Sequence, residues 1–262
     1  MRSLPRICLL LLLCAAQSRA SDFASQMMEA TFKLFDPSST ATCFLVSRAA
    51  PDNALYLVTA AHVLERIKAD SAVLVLRRPG EDGSYERVDH KLPIRHEGKP
   101  LWVRHAKEDA AVLRITGTLP TASRPLPASA LADTAALRSA QLHVCSPLFI
   151  LTFPERFEAN HAGFPVARQG IFASPPLLPF ATHPTFLADF TTFGGDSGGP
   201  VFVQGPQGAP LLVGMVTAQH RHDEKHTSVY EERTVHHPLG LGTVLHGEAL
   251  RATLDAAATA EH

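Results

Sequence analysis

Residues 191–202 read TTFGGDSGGPVF, and the serine at the centre of that glycine cluster decides how the chain around it folds. Glycines at 194, 195, 198 and 199 let the backbone turn sharply and leave its amides unshielded. The run Gly195-Asp196-Ser197-Gly198-Gly199 fits a strand–serine–helix elbow, a turn leading straight back into a strand, or a tight turn with no chemistry. The residues after the serine separate these. Pro200-Val201-Phe202-Val203-Gln204 is a strand run, Gly205-Pro206-Gln207-Gly208 is turn chemistry, and Leu211-Leu212-Val213-Gly214-Met215-Val216 is a second strand run. That is a hairpin, with no room for a helix directly after Ser197.

Working outward, β-branched and aromatic runs bounded by Pro, Gly, Asn and Asp predict strands at residues 42–46, 55–58, 72–76, 110–115 and 142–145. Two of these runs carry polar residues at their ends. Leu57-Val58-Thr59-Ala60-Ala61-His62 is an apolar strand running into small residues and then a histidine. Lys107-Glu108-Asp109-Ala110-Ala111-Val112-Leu113 sets an acid at the mouth of a buried strand. Singly, a histidine beside a strand is more often structural, and an Asp before one is usually a turn residue. Together with the serine they form a nucleophile, a base and an orienting acid.

With TAAH at 59–62, DAAVL at 109–113 and GGDSGGPV at 194–201, in the order His, Asp, Ser, the chain resembles the trypsin-like (chymotrypsin-fold) serine peptidases. It looks closest to the secreted bacterial type. Val63 stands where the animal enzymes carry a cysteine, and no Arg/Lys-Ile-Val-Gly-Gly activation site lies near the start. The resemblance implies an all-β fold of two six-stranded antiparallel β-barrels with a C-terminal helix. It implies His62, Asp109 and Ser197 as catalytic residues, with the N–H groups of Gly195 and Ser197 as the oxyanion hole. Asp196, which pairs with a new N-terminus in the animal enzymes, needs another partner here. The pocket for the substrate residue before the scissile bond falls on Thr191, Thr192, Thr217, Ala218 and Gln219. No Asp stands at its base, so tryptic preference is not expected. The Thr192 hydroxyl resembles that of glutamyl endopeptidases, but Val216 stands where their histidine would be. Gln219 replaces a glycine common in the family and narrows the entrance. A small or medium uncharged side chain is the expected preference, on a protein or peptide substrate and with no cofactor. Two other readings remain: an α/β-hydrolase-type esterase, for which Asp223 and His246 supply a downstream acid and base but the parallel βαβ alternation is missing, and a secreted binding protein that kept the fold without activity.

The first twenty residues, MRSLPRICLLLLLCAAQSRA, have a positive start, an apolar run at 7–16 and small residues at 18–20, the pattern of a cleavable signal peptide. The run is too short to span a bilayer, and Leu13 is a poor residue before a lipoprotein cysteine at Cys14. The pattern implies a secreted or periplasmic protein. Removing the signal takes Cys8 and Cys14 with it and leaves Cys43 and Cys145, expected as two free buried thiols. A net charge of −1 gives no case for nucleic acid, and oligomeric state is not legible. The expected organisation is an N-terminal barrel at 21–125 carrying His62 and Asp109, a Pro-, Ala- and Ser-rich linker at 126–140, a C-terminal barrel at 141–246 carrying Ser197, and a helix and tail at 247–262.

One stretch has no role in this scheme. HRHDEKHTSVYEERTVHH holds His220, His222, His226, His236 and His237. Imidazoles at this density suit a metal, but His-x-His and His-His pairs often occur on solvated loops. A solvated loop beside the pocket, without metal, is the reading adopted, its charge rising as pH falls.

Overall fold

The computed structural model describes residues 22–175 and 177–260, so the expected signal segment lies outside the described residues. Helix α1 (Phe23–Ala30) leads into β1 (Thr31–Phe35), β2 (Thr40–Ser47) and β3 (Leu55–Thr59), then α2 (Ala61–Arg66), β4 (Ser71–Pro79) and β5 (Tyr85–Pro93). A small pairing of β6 (Arg95–His96) with β7 (Lys99–Pro100) precedes β8 (Trp102–Arg104) and β9 (Ala111–Ile115). Between the two series lie β10 (Leu126–Pro127) and α3 (Thr134–Ser139). The second series is β11 (Pro147–Thr152), β12 (Val166–Phe172), β13 (Thr185–Asp189), β14 (Pro200–Gln204), β15 (Pro210–Thr227) and β16 (Glu232–His246), followed by α4 (Gly247–Thr259).

The second series closes as a barrel in the order β11-β12-β13-β16-β15-β14, the six strands expected. Where a matching barrel was expected upstream, the first unit is an eight-stranded sheet. Its order is β5-β4-β1-β2-β3-β9-β8, with β10 added parallel to β2, and the path does not close. The edges explain this. β8 offers three residues, and β5 carries Glu86, Arg87, Asp89 and Lys91, the kind of charged edge that resists further pairing. The strand expected at 142–145 is a correction: those residues are irregular and end in a turn, with Cys145 at φ 70°, and the strand starts at Pro147. For the same reason Cys145 is exposed rather than buried, while Cys43 is buried, and neither forms a disulfide.

Two helices brace the units against each other. α1, which the sequence reading missed, buries Met27 and Ala30 and places Phe23 edge-on to Phe149 and Phe202 of the barrel, at 5.5 and 5.7 Å between ring centroids. α4 leaves the barrel and buries Leu250, Leu254 and Ala257, spaced to share one face, in the core of the N-terminal sheet. Barrel residues Phe202, Met215 and Leu245 join that same core. The interior is continuous from one unit into the other.

His246, where β16 ends and α4 begins, is fully buried with its ring 4.9 Å from that of Phe186. Burial, helped by His183 and opposed by Glu248, depresses its pKa to about 4. A histidine that stays neutral in the fold but protonates once unfolded withdraws stability as pH falls through the interval from 6.5 to about 4. The full effect is on the order of 3 kcal/mol. His246→Leu is therefore expected to flatten the pH dependence of the urea midpoint between pH 6.5 and about 4. An unchanged slope would show that other groups carry the acid sensitivity.

Candidate active site

The meeting of His62 and Asp109 is a matter of strand register. β3 and β9 are antiparallel, with Thr59 opposite Ala111. The residues just past the end of β3 and just before the start of β9 therefore emerge side by side. His62 stands in the first turn of α2, and Asp109 sits in a turn fixed by the His105 ring, whose Nδ1 accepts from Glu108 N–H at 2.9 Å. Asp109 holds the histidine twice. Its Oδ2 lies 2.6 Å from His62 Nδ1, and its Oδ1 accepts the His62 backbone N–H at 2.9 Å. Burial on its own would raise the Asp109 pKa. The hydrogen bonds from the imidazole and the backbone outweigh it, and the carboxyl is held below its usual value. An ionised Asp109 fixes the tautomer with the proton on Nδ1 and leaves Nε2 as an acceptor.

Ser197 lines the same cleft as His62, a space of about 480 Å³. No hydrogen bond joins the two side chains among the described residues. The backbone around Ser197 yields to a full accounting of its amides. Phe193 N–H donates to Asp196 Oδ2, Gly194 N–H to Glu155 Oε1, Asp196 N–H to Phe193 O, Gly198 N–H to Val216 O and Gly199 N–H to Asp196 O. In this turn the amides of Gly195 and Ser197 alone have no acceptor among the described residues, and both residues line the cleft. Glycine is required at 195 and 198. Their φ values are 95° and 87°, and an added Cβ would lie 2.3 Å from Phe153 O and 1.9 Å from Thr42 O.

The partner that Asp196 needs is Arg168 on β12, with Nη2 2.6 Å from Asp196 Oδ1 and the carboxylate almost fully buried. The guanidinium also donates to Thr191 O and Thr152 Oγ1 and lies over the Phe190 ring. Sequence reasoning missed Arg168. Its only trace is one charged residue in the alternating run VARQGIF at 166–172.

Of the expected pocket residues, Thr192, Thr217, Ala218 and Gln219 line the cleft. Thr191 is a correction. It is exposed and lines a separate recess with Arg168 and Asp189, because the backbone leaving β13 turns Thr192 inward and its neighbour outward. The Thr192 and Thr217 hydroxyls donate to Leu241 O and Thr243 O, so they offer lone pairs rather than protons to a substrate. Ser39, Thr40, Arg66 and Arg221 also line the cleft. Arg66 was findable, since it stands one helical turn after His62. The histidine-rich stretch is a two-stranded ribbon rather than a loop, an extension of β15 and β16 beyond the barrel. His236 pairs with Asp223 at 2.7 Å, His237 with Glu224 at 3.1 Å, and the His222 and His237 rings stack. None of the five histidines lines the cleft.

A family model described as a trypsin-like peptidase domain matches residues 41–215, which contain all three expected catalytic residues. Among solved structures the chain is similar to the Rv3671c protease of M. tuberculosis H37Rv, solved in an inactive form. That match has 16% identity and a TM-score of 0.50, and covers 89% of this chain and 91% of the other. It is also similar to the protease Anisep of Arthrobacter nicotinovorans, with 13% identity, a TM-score of 0.52, and 89% and 97% of the two chains covered. At these identities the likeness is one of fold. No curated protein sequence matches the chain.

Arg168→Ala would leave the Asp196 carboxylate buried and unpaired, a loss of about 3–5 kcal/mol. Urea unfolding is expected to show that loss, and Asp196→Asn added to Arg168→Ala is expected to recover much of it. Additive single effects would mean that the two groups are not coupled.

Proposed function

The chain belongs to the family of trypsin-like peptidases, and on that premise we propose that it is a secreted serine endopeptidase in which Ser197, His62 and Asp109 form the catalytic triad. The observation that carries this reading is the double hold of Asp109 on His62, facing a serine turn in which two amides are unspent. An extended peptide lies along Thr217, Ala218 and Gln219 in the cleft between sheet and barrel. His62 Nε2 takes the Ser197 proton as Oγ attacks the scissile carbonyl, and the charge that develops on the carbonyl oxygen is met by Gly195 N–H and Ser197 N–H. The imidazolium, stabilised by Asp109, returns the proton to the leaving amine. Water then enters by the same route and releases the acyl group. No step calls for a cofactor.

The uncharged wall of Thr192, Val216, Thr217 and Ala218 supports a small or medium uncharged residue before the scissile bond. Peptides with Ala or Val there are expected to be cleaved about tenfold or more faster than those with Lys or Asp. A library showing a preference for Lys, Arg or Glu would overturn the assignment.

A fluorophosphonate probe on the secreted form, residues 21–262, is the test of the triad. The adduct is expected on Ser197 by peptide mass spectrometry and absent in Ser197→Ala. Asp109→Asn is expected to slow it by about 10²–10⁴-fold. A folded protein that takes no probe would make the chain a binder rather than an enzyme.

A further inference from the structure

The turn after β11 carries two uncommon backbone conformations. Glu155 and Arg156 have φ of 46° and 69°, in the left-handed region that neither residue type favours. Conformations of this kind persist where the surroundings over-determine them, and they gather at functional sites. The surroundings here are specific. Phe157 N–H closes the turn on Pro154 O at 2.7 Å, and the Arg156 carbonyl accepts from Lys33 Nζ at 2.8 Å. Glu158 pairs with Lys33 at 2.7 Å and with Arg87 at 2.5 Å, which pins the segment to the N-terminal sheet.

The pinned turn sets Glu155 against Gly194 at two points. Glu155 N–H donates to Gly194 O at 2.6 Å, and Glu155 Oε1 accepts from Gly194 N–H at 3.0 Å. The Gly194 carbonyl and the Gly195 N–H belong to one planar trans peptide and point in opposite directions. Holding the carbonyl towards Glu155 therefore turns the Gly195 N–H away from it. With glycine on both sides, that peptide has little preference of its own, and half a turn would put an oxygen where a donor is needed.

We infer that Glu155 is a positioning residue: by holding both polar ends of Gly194 it keeps the Gly195 N–H presented to the substrate oxyanion. This rests on the proposed function above. Donors aimed at an oxyanion act on the transition state more than on the bound substrate, so loosening the clamp acts on kcat.

Three variants test it. Glu155→Gly keeps the N–H, suits a positive φ and removes the carboxylate, Glu155→Ala removes the carboxylate alone, and Glu155→Gln keeps an acceptor. The glycine and alanine variants are expected to lower kcat about tenfold, short of the 10²–10³ of a wholly lost donor. KM is expected to stay within about twofold, because ground-state binding is not the target. A peptide boronic acid, which forms the tetrahedral adduct, should bind more weakly in proportion to kcat. Glu155→Gln should recover kcat, and Glu155→Gly should keep the wild-type Tm. A glycine variant with wild-type kcat, one whose kcat falls only together with its Tm or its KM, or a glutamine variant as slow as the alanine one would each overturn the inference. Wild-type protein that takes no fluorophosphonate at Ser197 would instead remove the parent reading, and this inference with it.

Discussion

The serine turn depends on one buried carboxylate. Asp196 sits almost wholly out of water inside the serine turn, where an unpaired charge would be costly. Arg168 answers it from the neighbouring strand. Its planar fork meets Asp196 while also reaching Thr152 and Thr191 and lying on Phe190, a set of contacts that a lysine could not reproduce. With one Asp196 oxygen given to Arg168, the other is free to accept from Phe193 N–H. That bond curls the turn and leaves two amides facing the cleft. An arginine on β12 thus braces the turn that carries Ser197.

The second dependence is on docking. Thr42 of β2 works almost as part of the serine turn. Its N–H donates to Ser197 O, its hydroxyl to Gly195 O, and the same hydroxyl accepts from Phe153 N–H. Lys33, Arg87 and Glu158 form a separate bridge between the sheet and the segment beneath the turn. The half that carries His62 and Asp109 therefore also shapes the half that carries Ser197, and neither is finished alone.

These separations along the chain explain what was legible in the sequence. The histidine, aspartate and serine each announce themselves within a few residues, because strand ends and glycine turns have local composition. The hairpin after Ser197 was legible for the same reason, whereas the six strands of the barrel were expected from the family resemblance, and the strand expected at 142–145 in fact starts at Pro147. Arg168 and Glu155 were not, since their partners lie far along the chain and nothing nearby separates them from ordinary surface charges. Thr191 and Thr192 differ only in which way the backbone faces, which composition does not record. The histidine ribbon read as a loop because both of its faces meet solvent, so no alternation of apolar and polar residues marks it as strand. Helix α1 escaped because only Met27 and Ala30 in its eight residues are buried.

The helix after the barrel has a consequence for the order of events during synthesis. α4 leaves the last barrel strand and completes the core of the sheet made first, through Leu250, Leu254 and Ala257. Part of the core of the sheet made first is therefore supplied by residues that follow it in the chain, from the barrel and from the helix after it. Every residue that lines the cleft precedes α4, yet the core that joins the sheet to the barrel is complete only with it. The last helix to be made is thus part of the interior of the first unit to be made.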